Sequence, residues 1–446
     1  MTPDITKPYL VAVVGAGPAG IYAARMLAAE GAEVVLLNRD IKPGGLAEYG
    51  IFYNKCKMKD GLRKQFRQIL SAPDITYYGN ITVGQNSDLT LDELQQLGFQ
   101  AILVTAGAQG TKWLGLPGER FRGVYHAKDL VYHYNQLPPY STQEYDVHGR
   151  VALIGVGNVM LDIAHWLVRD IKVDEVIAVA RRGPAEVKFS KKELEYVSAN
   201  LDLLALEAEI ARCSPIMRAV GQDVQAAKDY ILSGLPKAWP AVSKTRFRFD
   251  FLASPTRLYG DASGHVYGLE VEDNTLLPKN GDTRPRGLGT CRLLNVNTVV
   301  FCISDKVDET FGLPVQWNEY IKNPSPRFPI EGLSYEAYNP QTGQPIEGVF
   351  VAGWSREAGN GLVGLARKDG ENGARATLEY LKTLPPLADH QPALDGLKAL
   401  LERCGKRTVL KDDVTKLDIY EQAEAARRGV EEYKLKTNDE MLAVIQ

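Results

Sequence analysis

At 446 residues the chain is longer than one hydrophobic core ordinarily serves, so two or three domains are expected. A hydrophobic share of 45% beside 24% charged residues is ordinary for a soluble globular protein. A net charge of −3 gives no reason to expect nucleic acid or an anionic membrane as a main partner.

The first apolar stretch, Tyr9–Val14, is short and runs straight into glycines, so it reads as a strand and not as a secretory leader. No apolar run approaches the roughly 20 residues that span a bilayer, and the expected compartment is the cytoplasm. Leu10–Gly15 is a strand, Ile21–Ala29 has helical composition and Glu33–Leu37 is the next strand, which is a βαβ unit. The intervening loop is Gly15-Ala16-Gly17-Pro18-Ala19-Gly20. Gly15 suits the tight turn, Gly17 a close approach to pyrophosphate, and Gly20 close packing of helix on strand. The helix N-terminus adds free N–H groups and a positive dipole end. A carboxylate usually stands at the end of the second strand to bind ribose hydroxyls; here the strand ends in Asn38-Arg39. Either the Asn38 amide makes a weaker contact to the diol, or it is a loop residue and Asp40 or backbone does the work.

Pro43-Gly44-Gly45-Leu46, with Tyr49-Gly50 after it, follows as the flavin-contacting turn does in flavoproteins that bind two dinucleotides. Ile102–Thr105 is a strand running into the small residues Ala106 and Gly107, suited to backbone approach over FAD, and Leu116–Glu119 then leaves that domain. A second glycine loop starts about 140 residues after the first. Gly149–Ile154 is a strand, Gly155 and Gly157 supply the turn, Asn158–Val168 is helical, and Val176–Ala180 is the next strand. Val159 completes the loop, and Met160 stands where a third small residue is usual. The second strand ends in Arg181-Arg182 with no carboxylate. An acid there would repel a 2′-phosphate, whereas two guanidiniums offer it bidentate contacts, so NADP(H) is favoured over NAD(H).

Further on, Gly348–Gly353 is a strand ending at Trp354, a candidate flavin-packing residue, and Gly361 opens a long helical stretch to about Leu381. A helix N-terminus at the pyrimidine edge of a flavin would stabilise the anionic reduced ring. The five cysteines (Cys56, Cys213, Cys291, Cys302 and Cys404) form no C-x-x-C pair and have no metal-site spacing. A redox-active disulfide and an in-chain iron–sulfur cluster are therefore not expected, and no metal is assigned. Each thiol reads as small and buried or incidental.

These motifs in this order resemble the adrenodoxin reductase family of FAD-containing NADPH–ferredoxin reductases, and more loosely the small subunit of glutamate synthase. The resemblance rests on Gly155–Asp162, on Arg181–Pro184 through Phe189–Leu194, on Phe251–Pro255, and on Gly353-Trp354 with Gly361–Gly364. It implies an α/β fold of two Rossmann-like domains, with an NADP domain (109–320) inserted into an FAD domain (1–108 and 321–446). Tyr320–Tyr338 would be the return linker. It also implies that Arg181 and Arg182 bind the 2′-phosphate, Asn158 the coenzyme pyrophosphate, and that Glu193 lies near the nicotinamide. Gly15, Gly17, Gly20, Leu46, Val83, Trp354, Gly361 and Val363 would line FAD, with Leu362 beside them. Lys55 falls where the family has a histidine near the flavin, and with Glu193 it is a candidate catalytic residue. Ser355–Asn360 departs from the family's Gly-Pro-Thr.

The implied reaction moves a hydride between NADP(H) and FAD and then single electrons to a ferredoxin-like carrier. An acidic carrier would meet a basic rim, for which Lys188, Lys191, Lys192, Lys244, Arg246 and Arg248 are candidates. Two rival readings stay open. One is an NADPH-oxidising flavoprotein subunit whose partner redox subunit takes the electrons. The other is an FAD-holding scaffold with impaired hydride transfer, for which Met160, Asn38 and Lys55 speak. Oligomeric state is not legible.

Overall fold

The computed structural model describes residues 8–359 and 363–446. The chain divides into two compact units: Met1–Thr111, Tyr132–Thr142 and Ser304–Gln446 in one, Lys112–Val131 and Gln143–Ile303 in the other. The expected Gly361 and Leu362 contacts lie outside the described residues.

In chain order, β1 (Tyr9–Val14), α1 (Pro18–Ala29) and β2 (Ala32–Leu37) form the first βαβ unit. β1 is buried almost throughout, as a parallel strand covered on both faces must be. Pro18 takes the first helical position, where a missing N–H leaves no bond unmade. Then come α2 (Cys56–Leu70), β3 (Ile75–Tyr78) and β4 (Ala101–Val104). The second unit supplies β5 (Val124–His126), β6 (Arg150–Ile154), α3 (Asn158–Trp166) and β7 (Glu175–Val179). It continues through β8 (Arg246–Asp250), β9 (Ala253–Gly260), β10 (Val266–Lys279), β11 (Asp282–Asn295) and β12 (Thr298–Phe301). Back in the first unit lie β13 (Glu336–Asn339), β14 (Gln344–Val351), α4 (Val363–Leu381) and α5 (Lys411–Arg428).

The first unit's sheet runs β13-β14-β4-β1-β2-β3, parallel except for β13. The second unit's sheet, β5-β12-β6-β7-β8, is parallel throughout. A three-stranded antiparallel sheet, β9-β10-β11, accompanies it. In both parallel sheets the order reverses beside the strand that carries a glycine loop, and ligands bind at such switch points of α/β folds. The fold is therefore α/β with two Rossmann-like units.

Two stretches fall elsewhere than the sequence pattern suggests. Tyr132–Thr142 packs with the first unit, because Tyr132 and Leu137 share a buried cluster with Tyr49. The return comes at Ser304, ahead of Tyr320–Tyr338, since Asp305-Lys306 pairs antiparallel with Gly110-Thr111 and Phe311, Leu313 and Tyr320 are buried in the first unit's core. All five cysteines are free thiols; Cys291 is exposed, and burial pushes the Cys213 thiol up to about 12. Among the described residues no helix is long and apolar enough to cross a membrane.

Candidate nucleotide-binding sites

At the first loop Gly15 has φ +109°, which L side chains rarely adopt, and a Cβ there would lie 2.6 Å from the Thr105 carbonyl oxygen. Gly20 is tighter. Its Cβ would sit 1.9 Å from the Gly15 oxygen and 2.5 Å from Thr105 Oγ1. The Thr105 hydroxyl donates to the Gly15 carbonyl at 2.8 Å, lacing β4 to the loop. Gly17 is the opposite case. It caps α1, no side chain caps that N-terminus, and a Cβ on it would meet nothing within 4 Å. Uncapped N–H groups beside open space are what a pyrophosphate binds, so these residues fit a dinucleotide.

Ala19 is buried against α4, where a Cβ on Gly370 would lie 2.2 Å from the Ala19 oxygen. It also approaches the turn after β14, since a Cβ on Gly353 would lie 2.7 Å from Ala19 Cβ. Asp369 of α4 fixes that turn: it accepts from the Gly353 N–H at 2.6 Å, from the Tyr335 hydroxyl at 3.0 Å and from Arg356 at 2.6 Å. Half-buried Trp354 lines a cavity there of about 150 Å³ with Arg356, Leu365 and Asp369. Gly107 N–H donates to the buried Ser355 hydroxyl at 2.9 Å, joining the end of β4 to the same turn, while the adjacent Ala106 carbonyl accepts from Gln109. Val363 opens α4 half-buried against the first unit's core.

The turn after β2 rests on the loop, with Gly44 N–H donating to the Ala16 carbonyl at 2.7 Å and Gly45 close to Gly17. Asn38 does not reach outward for a ribose. Its Oδ1 accepts from Ala16 N–H at 3.0 Å, and its Nδ2 donates to the carbonyls of Asp40 at 2.8 Å and Lys42 at 3.1 Å. The buried amide braces the glycine loop, its Oδ1 and Nδ2 both engaged within the protein. Arg39 is the outward neighbour; it pairs with Asp40 at 3.0 Å and donates to Gln109 at 2.9 Å. Tyr49 is a core residue, under the Lys434 ammonium at 4.8 Å and beside Tyr132 and Leu137, with Leu46 packed on that cluster. Val83 is likewise buried in a core cluster. Lys55 is half-buried at the N-terminal cap of α2.

The second loop repeats the design. Gly155 has φ +123° and no room for a Cβ, which would lie 2.4 Å from the Cys302 oxygen. Gly157 caps α3 with no side-chain cap and open space about its Cα. Asn158 Oδ1 accepts from Ser190 N–H at 2.8 Å, tying the start of α3 to the segment that carries Glu193. Val159 is 44% exposed on the open side of the helix, whereas Met160 is fully buried, so the bulky third residue turns into the core. Arg181 is exposed and makes no side-chain ion pair among the described residues. Arg182 turns to the tip of the β10–β11 hairpin, donating to Asp282 at 3.2 Å. Glu193 is half-exposed in the first turn of the short helix Lys191–Leu194, capped by Ser190.

Two members of the expected basic rim are neutralised. Arg246 pairs with Asp202 at 2.6 Å and Arg248 with Glu175 at 3.0 Å, while Lys191 lies 5.2 Å over the Tyr230 ring. Lys188, Lys192 and Lys244 are exposed. Sequence reasoning missed Thr105, Ser355 and Asp369; the placement of Thr105 directly after an apolar strand was the one signal available.

The family model for pyridine nucleotide-disulphide oxidoreductases matches residues 9–201. The chain is 26% identical over 480 residues to an NADPH:adrenodoxin oxidoreductase, mitochondrial, of Arabidopsis thaliana, covering 98% of this chain and 95% of that protein. It is 26% identical over 473 residues to the NADPH-ferredoxin reductase FprA of Mycobacterium leprae, covering 97% and 98%. The solved structure of Mycobacterium tuberculosis FprA in complex with NADPH shares the fold, with a TM-score of 0.81 at 24% identity over 98% of this chain and 99% of that one.

Proposed function

We propose that this chain, a homologue of NADPH:adrenodoxin oxidoreductases and of FprA-type NADPH-ferredoxin reductases, is an FAD-dependent oxidoreductase that draws electrons from NADPH and delivers them singly to a ferredoxin-like carrier. The observation that carries the reading is the pairing of two uncapped helix N-termini, each behind a glycine with open space, with two adjacent arginines at the end of the next strand only after the second; after the first, Arg39 stands alone and is paired with Asp40. The first loop holds FAD and the second holds NADP(H). Bound, the two cofactors supply the redox chemistry themselves. The protein's part is to cradle phosphates on N–H groups, to hold the Gly353–Trp354 turn through Asp369, and to select the coenzyme at Arg181 and Arg182. Anaerobic mixing of the purified flavoprotein with NADPH tests this: the flavin band is expected to bleach, and then to recover when oxidised ferredoxin is added. A band that never bleaches would leave only a flavin-holding scaffold.

Selection by the arginines has its own test. Arg181 is free to meet a 2′-phosphate, and Arg182 stands beside it, held by an Asp282 that is itself 69% exposed. Each charge-assisted contact is worth about 1.5–3 kcal/mol, so changing both arginines to alanine should lower the preference for NADPH over NADH by on the order of 100-fold or more. Comparing kcat/KM for the two coenzymes measures it. Equal use of both by the unmutated protein would refute the assignment.

A further inference from the structure

Away from both glycine loops, the second unit brings three metal-ligating side chains to one point. Asp146 and His148 lie in the segment before β6, and His265 lies in the turn between β9 and β10. Their candidate donor atoms all fall within 4.8 Å of one another. Asp146 Oδ1 is 2.8 Å from His148 Nδ1, and Asp146 Oδ2 is 3.1 Å from His265 Nε2. Both segments are anchored. Asp146 N–H donates to the Tyr125 hydroxyl at 2.9 Å, and His265 N–H donates to Asp261 at 3.0 Å.

The chemistry at His265 is specific. Its Nδ1 lies 3.0 Å from the Val266 carbonyl. A carbonyl only accepts, so Nδ1 carries a proton, and it is Nε2 that is left to offer a lone pair to a metal ion. That Nε2 is buried and makes no hydrogen bond, although a carboxylate oxygen stands 3.1 Å away. A carboxylate oxygen that close without a hydrogen bond lies off the axis of the ring nitrogen, so Nε2 is left unpartnered beside a negative group, a place that a cation can fill. A proton would satisfy Asp146 and His265 alone; the third donor on the same carboxylate, His148, suits a metal ion. A carbonyl bond on the far nitrogen is also how proteins set the tautomer and aim of a metal-binding histidine.

We infer that Asp146, His148 and His265 form a site for a borderline divalent cation of the zinc type, with its remaining position open to water. Two imidazoles and one carboxylate favour Zn²⁺, Co²⁺, Ni²⁺ or Cu²⁺ over Mg²⁺ and Ca²⁺, which prefer oxygen donors. Ligand bonds of about 2.0–2.2 Å place donor atoms about 3.3–3.6 Å apart, so the two carboxylate contacts must open by a few tenths of an ångström and donors at the 4.8 Å limit must draw together by about 1 Å. The site lies at the amino-terminal end of β6, whereas Gly155 lies at its carboxyl end. It is therefore a structural staple that ties the 143–149 segment to the β9–β10 turn, separate from coenzyme binding.

The test uses the full-length chain, free of any polyhistidine tag and stripped with chelator. Titration with Co²⁺ followed by visible d–d absorption, and with Zn²⁺ by calorimetry, is expected to show one equivalent bound and a rise in thermal midpoint. His148→Gln and His265→Gln should each weaken binding by at least about tenfold. In chelator both should melt as the parent does, and the more exposed His148 guards against a folding artefact. A parent chain that takes up no metal, or one that binds it equally after both changes, overturns the assignment.

Discussion

Gly17→Ala is expected to yield a folded protein that has lost its yellow colour. A methyl group at this position meets nothing within 4 Å, and the backbone, at φ −77° and ψ −179°, accepts alanine without strain. The cost to the apoprotein is then only that of alanine in place of glycine at a helix cap, about 1 kcal/mol or less. The methyl does, however, occupy the space in front of the α1 N–H groups, where a pyrophosphate has to approach to hydrogen-bond distance. Flavin affinity should drop by at least about 100-fold, the loss of two or more charge-assisted bonds. Gly20→Ala is the contrasting variant. Its Cβ would sit 1.9 Å from the Gly15 oxygen, so α1 must back away from the loop and Thr105 must let go. Overpacking of this kind costs about 1–3 kcal/mol, and Gly20→Ala should lose stability and flavin together. Equilibrium dialysis of FAD against each apoprotein, with urea midpoints alongside, separates the two effects. Undiminished FAD affinity in Gly17→Ala would mean that this loop does not hold the pyrophosphate.

The same contrast explains which parts of the site could be read from the chain alone. A glycine loop is local: strand, turn and helix start lie within a dozen residues, and the steric demands on Gly15, Gly17 and Gly20 follow from their spacing. The ends of side chains are not local. Asn38 stands at the strand end, but whether its amide points to a ribose or into the protein depends on Ala16 and on the carbonyls of Asp40 and Lys42, which spacing does not orient. Arg182 was legible as a guanidinium at the strand end; its partner Asp282 comes 100 residues later, on a hairpin whose position no periodicity gives. Tyr49 beside a glycine turn resembles a flavin contact, and only Lys434 and the Tyr132–Leu137 segment, both distant in sequence, make it core. The early return at Ser304 has no proline or glycine to mark it, because a two-residue ladder with Gly110-Thr111 makes the crossing.

Glu48→Gln should be the most destabilising conservative change in the first unit. Glu48 follows the Gly45 turn, is 3% exposed, and receives Arg63 at 2.6 Å and 2.7 Å and the Lys434 ammonium at 2.9 Å. The same ionic cluster joins Lys42 to Glu421 and Lys59 to Glu432 at 2.8 Å, fastening α5 and the chain after it onto the β2–α2 segment. Burial opposes ionisation of Glu48, but Lys434, Lys42 and Arg63 outweigh it and hold the carboxyl well below its usual range. Removing that charge takes from buried Lys434 its close carboxylate and from Arg63 the buried one of its carboxylate partners, a loss of about 3–5 kcal/mol, to be read from the urea midpoint at neutral pH. The pH profile supplies a signature. A depressed carboxylate contributes stability above its unfolded pKa, near 4.3, and loses it as pH falls through the folded value, so the parent should weaken toward acid and Glu48→Gln should lose that part of the slope. Lys434 runs the other way at alkaline pH: burial outweighs its carboxylate neighbours and pushes it down to about 8. Between there and about 10.4 the unfolded chain holds a proton that the folded chain does not, so this group's contribution rises with pH. Without Glu48 the ammonium loses its nearest anion, and the alkaline gain should begin at lower pH. An unchanged urea midpoint with an unchanged acid limb would show that the cluster's charges are compensated from elsewhere.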